Sequence, residues 1–175
     1  MITLKPGDIV LVHGSSFSAR LIQFATRSRW NHAALVARHE EDGDYTIYES
    51  DKDGVVASDL SRYGNSDIAI YRMPDLNNSE RNSIVKAARE TWGNQYDYPI
   101  VIWTVKVLGW KRSGILLAKI VFGLPWRAPH IQDKYLVCSE MVQEAYSSAG
   151  FPLTDDEYLM TPGDIAKCEK LERVY

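Results

Sequence analysis

Only two cysteines, Cys138 and Cys168, occur in 175 residues, too few for a disulfide framework. Both are read as thiols. Positive charge is also not in excess, since 20 Lys and Arg face 23 Asp and Glu for a net charge of −3. A nucleic-acid surface releases counterions through clustered basic side chains, and no basic run or Arg-rich helix is present, so nucleic acid is not an expected partner. Zinc wants three or four ligands at helical or knuckle spacing; H-x-x-x-H and C-x-x-C are both missing, so neither metal nor cofactor is expected. The serine-nucleophile motif G-x-S-x-G is missing too. There are no internal repeats and no low-complexity segments. The opening "MITLKPGDIVLVHG" enters a strand pattern without the basic region, apolar core and small-residue cleavage site of a secretory leader. A cytoplasmic location is the default expectation, although release by lysis or by a secretion machine would leave the same sequence.

What is there is ordinary globular composition, 45% hydrophobic and 25% charged, in a length that suits one domain spanning 1–175. Pro6-Gly7 marks a turn, and "DIVLVHG" after it reads as a buried strand. "SSFSARLIQFATRS" offers serine N-caps and then Leu21, Ile22 and Phe24 on one side of a short helix. "NHAALVARHEEDGDYTIYES" is two strand-like runs about a polar turn containing Asp42-Gly43, a β-hairpin. "SDIAIYRM" is a further strand, and Ser79 opens a helix over "ERNSIVKAARETW" that Gly93 closes. With strands early and helices late, the fold class is α+β with a mainly antiparallel sheet.

The stretch "PIVIWTVKVLGWKRSGILLAKIVFGLPW", residues 99–126, is rich in Ile, Val, Leu and Trp but broken by Lys106, Lys111, Arg112 and Lys119. A spanning helix needs about 20 mostly apolar residues with few charges, so this is not a transmembrane segment. Two core-packed helices joined near Gly109 are the favoured reading. The alternative is an insertion, extending to about 134, that covers a cleft or lies on a membrane interface, where basic residues beside Trp and Leu fit the headgroup boundary.

"YLVCSEMVQEAY" places Cys138 at the first position of an amphipathic helix whose apolar stripe runs through Met141, Val142, Ala145, Tyr146 and Ala149. A free cysteine on such a stripe is ordinarily a small buried hydrophobe. At a helix N-terminus, however, unpaired N–H groups and the macrodipole favour a thiolate. A nucleophilic cysteine also needs a base, and there are four histidines. His39 belongs to the polar end of the hairpin, His13 ends the first strand, and His130 lies in a loop. His32 opens the apolar strand "AALVA" and is either a hydrogen-bonded core residue or a positioned catalytic group; sequence alone leaves both open. The hairpin brings Tyr48, Glu49 or Ser50 opposite His32, with register deciding which can touch it. Of the three, Glu49 is the one able to hold an imidazolium by accepting its second N–H. Cys168, in the charged stretch "AKCEKLERVY", is read as structural or incidental.

Taken in order, "KPGDIVLVHG", "TRS", "WNHAALV", "YESDKDGVVASDL", "IAIYRM", "GNQYDY", "VCSEMVQEAYSSAG" and "MTPGDIA" resemble the YiiX-like, circularly permuted members of the NlpC-type papain-like amidases over nearly the whole chain. The resemblance implies a papain-like core in which the cysteine helix packs against a small antiparallel sheet bearing the histidine, with the histidine first in the chain. It implies Cys138 as nucleophile, His32 as base and Glu49 as third polar residue. A neighbouring permuted branch resembles lecithin–retinol acyltransferase but carries a second histidine at the third position and an N-C-E-H-F type cysteine motif; Glu49 and "VCSEMV" fit the amidase branch better.

The expected activity is therefore cysteine-dependent cleavage of an amide through a thioester acyl-enzyme, in a peptide, amino-acid conjugate or cell-wall fragment. Gly14, Ser15, Ser16 and Tyr135 are the residues expected to line the substrate cleft. Two rivals remain. One is lipid acyl hydrolysis or transfer at a membrane surface contacted by 99–126, and the other is a non-catalytic binding module on the same fold. Oligomeric state is not legible.

Overall fold

The computed structural model describes residues 3–51, 54–91, 138–155 and 160–175. The apolar stretch 99–126, His130, Tyr135 and the Gly93 helix stop lie outside the described residues.

Strand β1 (Ile9–His13) follows the Pro6-Gly7 turn, and α1 (Phe17–Thr26) follows β1, its first turn capped by Ser16, which accepts the Ala19 N–H at 3.1 Å. Phe24, read as part of that helix's apolar side, is 66% exposed. Strands β2 (His32–His39) and β3 (Tyr45–Asp51) form the expected hairpin. Its turn is closed by the Glu40 N–H on the Asp44 carbonyl, and Gly43 takes the left-handed φ of 92° that the reversal requires. Strand β4 (Gly54–Asp59) runs directly into a single 3-10 turn, Leu60–Tyr63, and β5 (Asp67–Arg72) follows. Helix α2 (Asn78–Glu90) begins earlier than expected: Asn77 caps it, and Glu80 reaches back to the Asn77 N–H in a reciprocal capping box. Ser79 is one of the N–H donors to that cap. After α3 (Cys138–Ser148) come the one-turn helix α4 (Pro162–Ile165) and the short strand β6 (Glu172–Arg173).

The six strands lie in the order β4-β3-β2-β1-β5-β6, and every neighbouring pair is antiparallel. Alternation sends Ile9, Leu11, Ala33, Leu35, Ala69 and Tyr71 to one face, where they meet Ile84 and Ala88 of α2 and Met141, Val142, Ala145 and Tyr146 of α3. The opposite face buries Val10, Val12, Ala34, Val36, Ile47 and Ile70, and Leu60 and Tyr63 of the 3-10 turn pack on it. Both faces are thus covered, which is why β2 reads as a nearly continuous apolar run rather than an alternating one.

At the N-terminal end of β1, Asp8 is completely buried. Its carboxylate accepts Arg72 Nε at 2.8 Å, Arg72 Nη2 at 2.6 Å and the Lys5 N–H at 2.8 Å, and Arg81 Nη1 lies 3.5 Å away. The Tyr146 hydroxyl donates to the Gly7 carbonyl at 2.6 Å. These contacts tie β1, β5, α2 and α3 together at one end of the sheet. The other end holds the candidate site.

Candidate active site

Cys138 is the first residue of α3 and is 8% exposed. The apolar residues behind it hold the helix against Ala33 and Leu35, so the helix start arrives where β2 begins. His32 is the first residue of β2 and pairs with Val12, which puts its side chain on the sheet face turned away from α3. Thiol and imidazole therefore come from opposite sides of the sheet and meet at its end, where the His32 ring hydrogen-bonds Cys138.

Glu49 is not directly opposite His32. The register pairs it with Ala34, two residues along β2, so Glu49 and His32 share a face as diagonal neighbours. That diagonal places Glu49 Oε2 2.8 Å from His32 Nε2. With Nε2 engaged by the carboxylate, Nδ1 is the ring nitrogen left for the thiol. Glu49 is 1% exposed; besides Ser58 of β4, it has two further donors from the 3-10 turn. Arg62 Nη1 donates to Oε1 at 2.5 Å, and the Tyr63 hydroxyl donates to Oε2. Arg62 also donates to Ser58 Oγ at 2.7 Å, and its guanidinium lies 5.6 Å from the centre of the Tyr63 ring. The Tyr63 ring centre is itself 6.0 Å from that of His32.

The electrostatics follow from these contacts. Burial penalises an imidazolium at position 32, but the charge and hydrogen bond of Cys138 and then of Glu49 outweigh it and push the His32 pKa up to about 10. Burial likewise works against a thiolate at Cys138. The His32 cation overcomes this, with help from the N–H groups of Ala33 and Ser139, and holds the thiol below its ordinary range. Burial would also raise Glu49, yet His32, Ser58 and Tyr63 as hydrogen-bond partners bring it down to about 2. All three shifts favour the charged form: thiolate at Cys138, imidazolium at His32 and carboxylate at Glu49.

A helix-start cysteine hydrogen-bonded to a strand-start histidine, itself held by a buried acid, is a papain-like constellation with the histidine first in the chain. The sequence model of the family described as permuted papain-like amidase enzyme, YaeF/YiiX, C92 family, matches residues 3–102. The chain belongs to this family. The matched stretch carries His32 and Glu49, while Cys138 lies beyond it. The amidase is also similar to the crystal structure of metalloprotein yiiX from Escherichia coli O157:H7, with a TM-score of 0.67 and 16% identity over 98% of this chain and 96% of that one. At that identity the likeness concerns the fold. No curated protein matches the chain.

The other sequence-singled residues are placed as follows. Gly14, Ser15 and Ser16 connect the end of β1 to α1, at the same end of the sheet as His32, since Val12 pairs with His32. The Gly14 N–H donates to Asn31 Oδ1 at 2.5 Å and the Gly14 carbonyl accepts from Gln23 at 2.9 Å, so this connection is fastened to the residue just before His32. His13 belongs to the same cluster, with Nδ1 2.7 Å from the Arg29 carbonyl and 2.9 Å from the Gln23 amide. His39 packs its ring 4.7 Å from that of Tyr45, far along β2. Cys168 is half-buried, unpaired in any disulfide, and donates to the Leu153 carbonyl at 3.3 Å. Arg62 and Tyr63 were not singled out by sequence reasoning. A four-residue turn has no periodicity, and nothing in "DLSRYGN" marks these two as partners of a glutamate in β3.

Proposed function

We propose that this member of the amidase family is a cysteine-dependent hydrolase acting on an amide in a small peptide, an amino-acid conjugate or a cell-wall fragment, with Cys138 as nucleophile, His32 as acid and base, and Glu49 as the group that orients His32. The observation that carries this reading is the continuous hydrogen-bonded line from Cys138 through His32 to the buried Glu49 carboxylate. The Cys138 thiolate attacks the amide carbonyl, and the carbonyl oxygen takes the negative charge beside N–H groups of the first turn of α3, which have no carbonyl partners within the helix. The tetrahedral species collapses as His32 gives its proton to the leaving nitrogen, so that the C–N bond breaks and a thioester to Cys138 remains. Neutral His32 then takes a proton from water as the water oxygen attacks the thioester. The C–S bond breaks, the acid departs, and the thiolate and imidazolium are restored. Glu49 keeps the ring oriented and its positive charge stabilised through both halves.

Gly14, Ser15 and Ser16 are assigned to the cleft wall because their connection lies at the His32 end of the sheet; Tyr135 is assigned with them from sequence. The solved relative is described as a metalloprotein. Among the described residues here, no three His, Cys, Asp or Glu side chains come together in a way that could hold a metal ion, so no step is routed through one. Among the described residues, no helix is long and apolar enough to cross a membrane.

Incubating wild type and Cys138→Ala with muropeptides, acyl-amino acids and phospholipids, followed by mass spectrometry, tests the assignment. A product from either of the first two classes that vanishes in Cys138→Ala, with an acyl adduct on Cys138 in trapped wild type, is the expected result. A Cys138-dependent product from phospholipid alone overturns the amide assignment in favour of lipid acyl chemistry. Equal behaviour of the two proteins on every substrate leaves a binding module.

A further inference from the structure

The buried carboxylate of Glu49 has more donors than orientation of one imidazole requires. His32 Nε2 and the Tyr63 hydroxyl share Oε2, while Arg62 Nη1 binds Oε1. Ser58 of β4 is a further partner of this carboxylate, but Arg62 and Tyr63 are consecutive residues of one turn, and that turn is itself fastened. The Ser61 N–H donates to the Asp44 carboxylate at 3.2 and 3.4 Å, which links it to the tip of the β2–β3 hairpin. The Gly64 N–H closes the turn on the Ser61 carbonyl at 2.9 Å. We propose that Arg62 and Tyr63 are positioning residues of the active site, which divide the charge of Glu49 between themselves and His32 and so set how tightly the imidazolium proton is held.

The inference rests on the proposed hydrolase reading and deepens it. A carboxylate oxygen that accepts two donors is a weaker acceptor for each, and a cation on the second oxygen draws charge from both. His32 must hold its proton to keep Cys138 ionised, yet release it to the leaving nitrogen. A carboxylate given over wholly to His32 would favour the first requirement at the expense of the second. Among the described residues, the titratable groups that face His32 are Cys138 from α3, Glu49 from β3 and Tyr63 from the 3-10 turn, with Arg62 behind the carboxylate; β1 presents Val12 beside it. The turn thus brings to this ring and its carboxylate a tyrosine and an arginine beyond the nucleophile and the acid.

The test is titration of His32 by nitrogen NMR in histidine-labelled protein, with its signal identified by its loss in His32→Asn. Tyr63→Phe and Arg62→Gln should each raise the His32 titration point by about half a unit or more, because each removes a competitor for the same carboxylate. Arg62→Lys should restore most of the wild-type value. In the product assay both variants should lose several-fold in kcat, with KM less affected. Should Tyr63→Phe fail to fold, 3-fluorotyrosine at position 63, a stronger donor, should lower the His32 titration point instead. Folded variants in which His32 titrates as in wild type, or lower, overturn the proposal and leave the turn as packing alone. Because the titration is read without substrate, this failure is distinct from failure of the hydrolase reading, which Cys138→Ala decides.

Discussion

At Cys138, two descriptions that normally exclude each other hold together. The residue is buried, as a cysteine on a helix stripe should be, and its ionised form is nevertheless favoured, because the His32 cation and the N–H groups of Ala33 and Ser139 act on the sulfur. Alkylation by iodoacetamide should consequently reach its plateau rate at a lower pH than that of an ordinary thiol, which accelerates only near a pKa of about 8.5. His32→Ala should return Cys138 to that ordinary profile. Glu49 supplies a second test, read through acid stability. Its pKa falls from 4.5 to about 2 on folding, so its stabilising effect is complete above 4.5 and is lost as pH drops toward 2. His32 has the opposite sign, since its pKa rises from 6.5 to about 10; its contribution is complete below 6.5 and fades as pH climbs through 10. Denaturant midpoints followed from pH 5 to pH 2 should therefore fall less steeply in Glu49→Gln than in wild type. The sequence offered His32, Glu49 and Cys138 as candidates because each has a chemical reason to stand at its position. It left the pairing open, since diagonal contact depends on a register that residue identities narrow only to three neighbours.

The elements were legible to the degree that they are periodic or capped. The β2–β3 hairpin is readable from its apolar runs and Asp42-Gly43, and α3 from its stripe. The start of α2 was misplaced because two residues near it are good caps, and only the reciprocal bonds of Asn77 and Glu80 decide between them. Asn77→Ala should thus cost about 1 kcal/mol by chemical denaturation, against a few tenths for Ser79→Ala. The 3-10 turn and the two-residue β6 escaped, being too short for a pattern to emerge, and β4 escaped because "GVVASD" sets two adjacent valines among small and polar residues instead of an alternation. Helix α4 illustrates a constraint that no pattern carries. A Cβ on Gly163 would lie 2.5 Å from Ser28 Cβ, so α4 approaches the segment before β2 as closely as only glycine permits. Gly163→Ala is expected to destabilise the fold by about 1–3 kcal/mol, and Ser28→Gly in the same chain should recover part of the loss.

For the whole molecule, fold class followed from the order of strands and helices, while the location of the site followed from which strand ends share one edge of the sheet. The opposite edge was not foreseen as special. There Asp8 joins β1 to β5 and α2 through Arg72 and Arg81, whose side chains are 14% and 4% exposed. Asp8→Ala would leave two guanidiniums without the buried carboxylate they share and should cost about 3–5 kcal/mol, more than Tyr146→Phe, which removes one buried hydrogen bond worth about 1–2 kcal/mol. This asymmetry grades the molecule along the strands. Amide exchange in β1 should be slowest at Ile9 and Val10 and fastest toward His13, where the strand leaves the buried region. On gentle warming the reactive end should loosen while the ion-pinned end stays folded. Heat inactivation would then be quickly reversible on cooling, since the pinned end remains as the template on which the loosened strands close again.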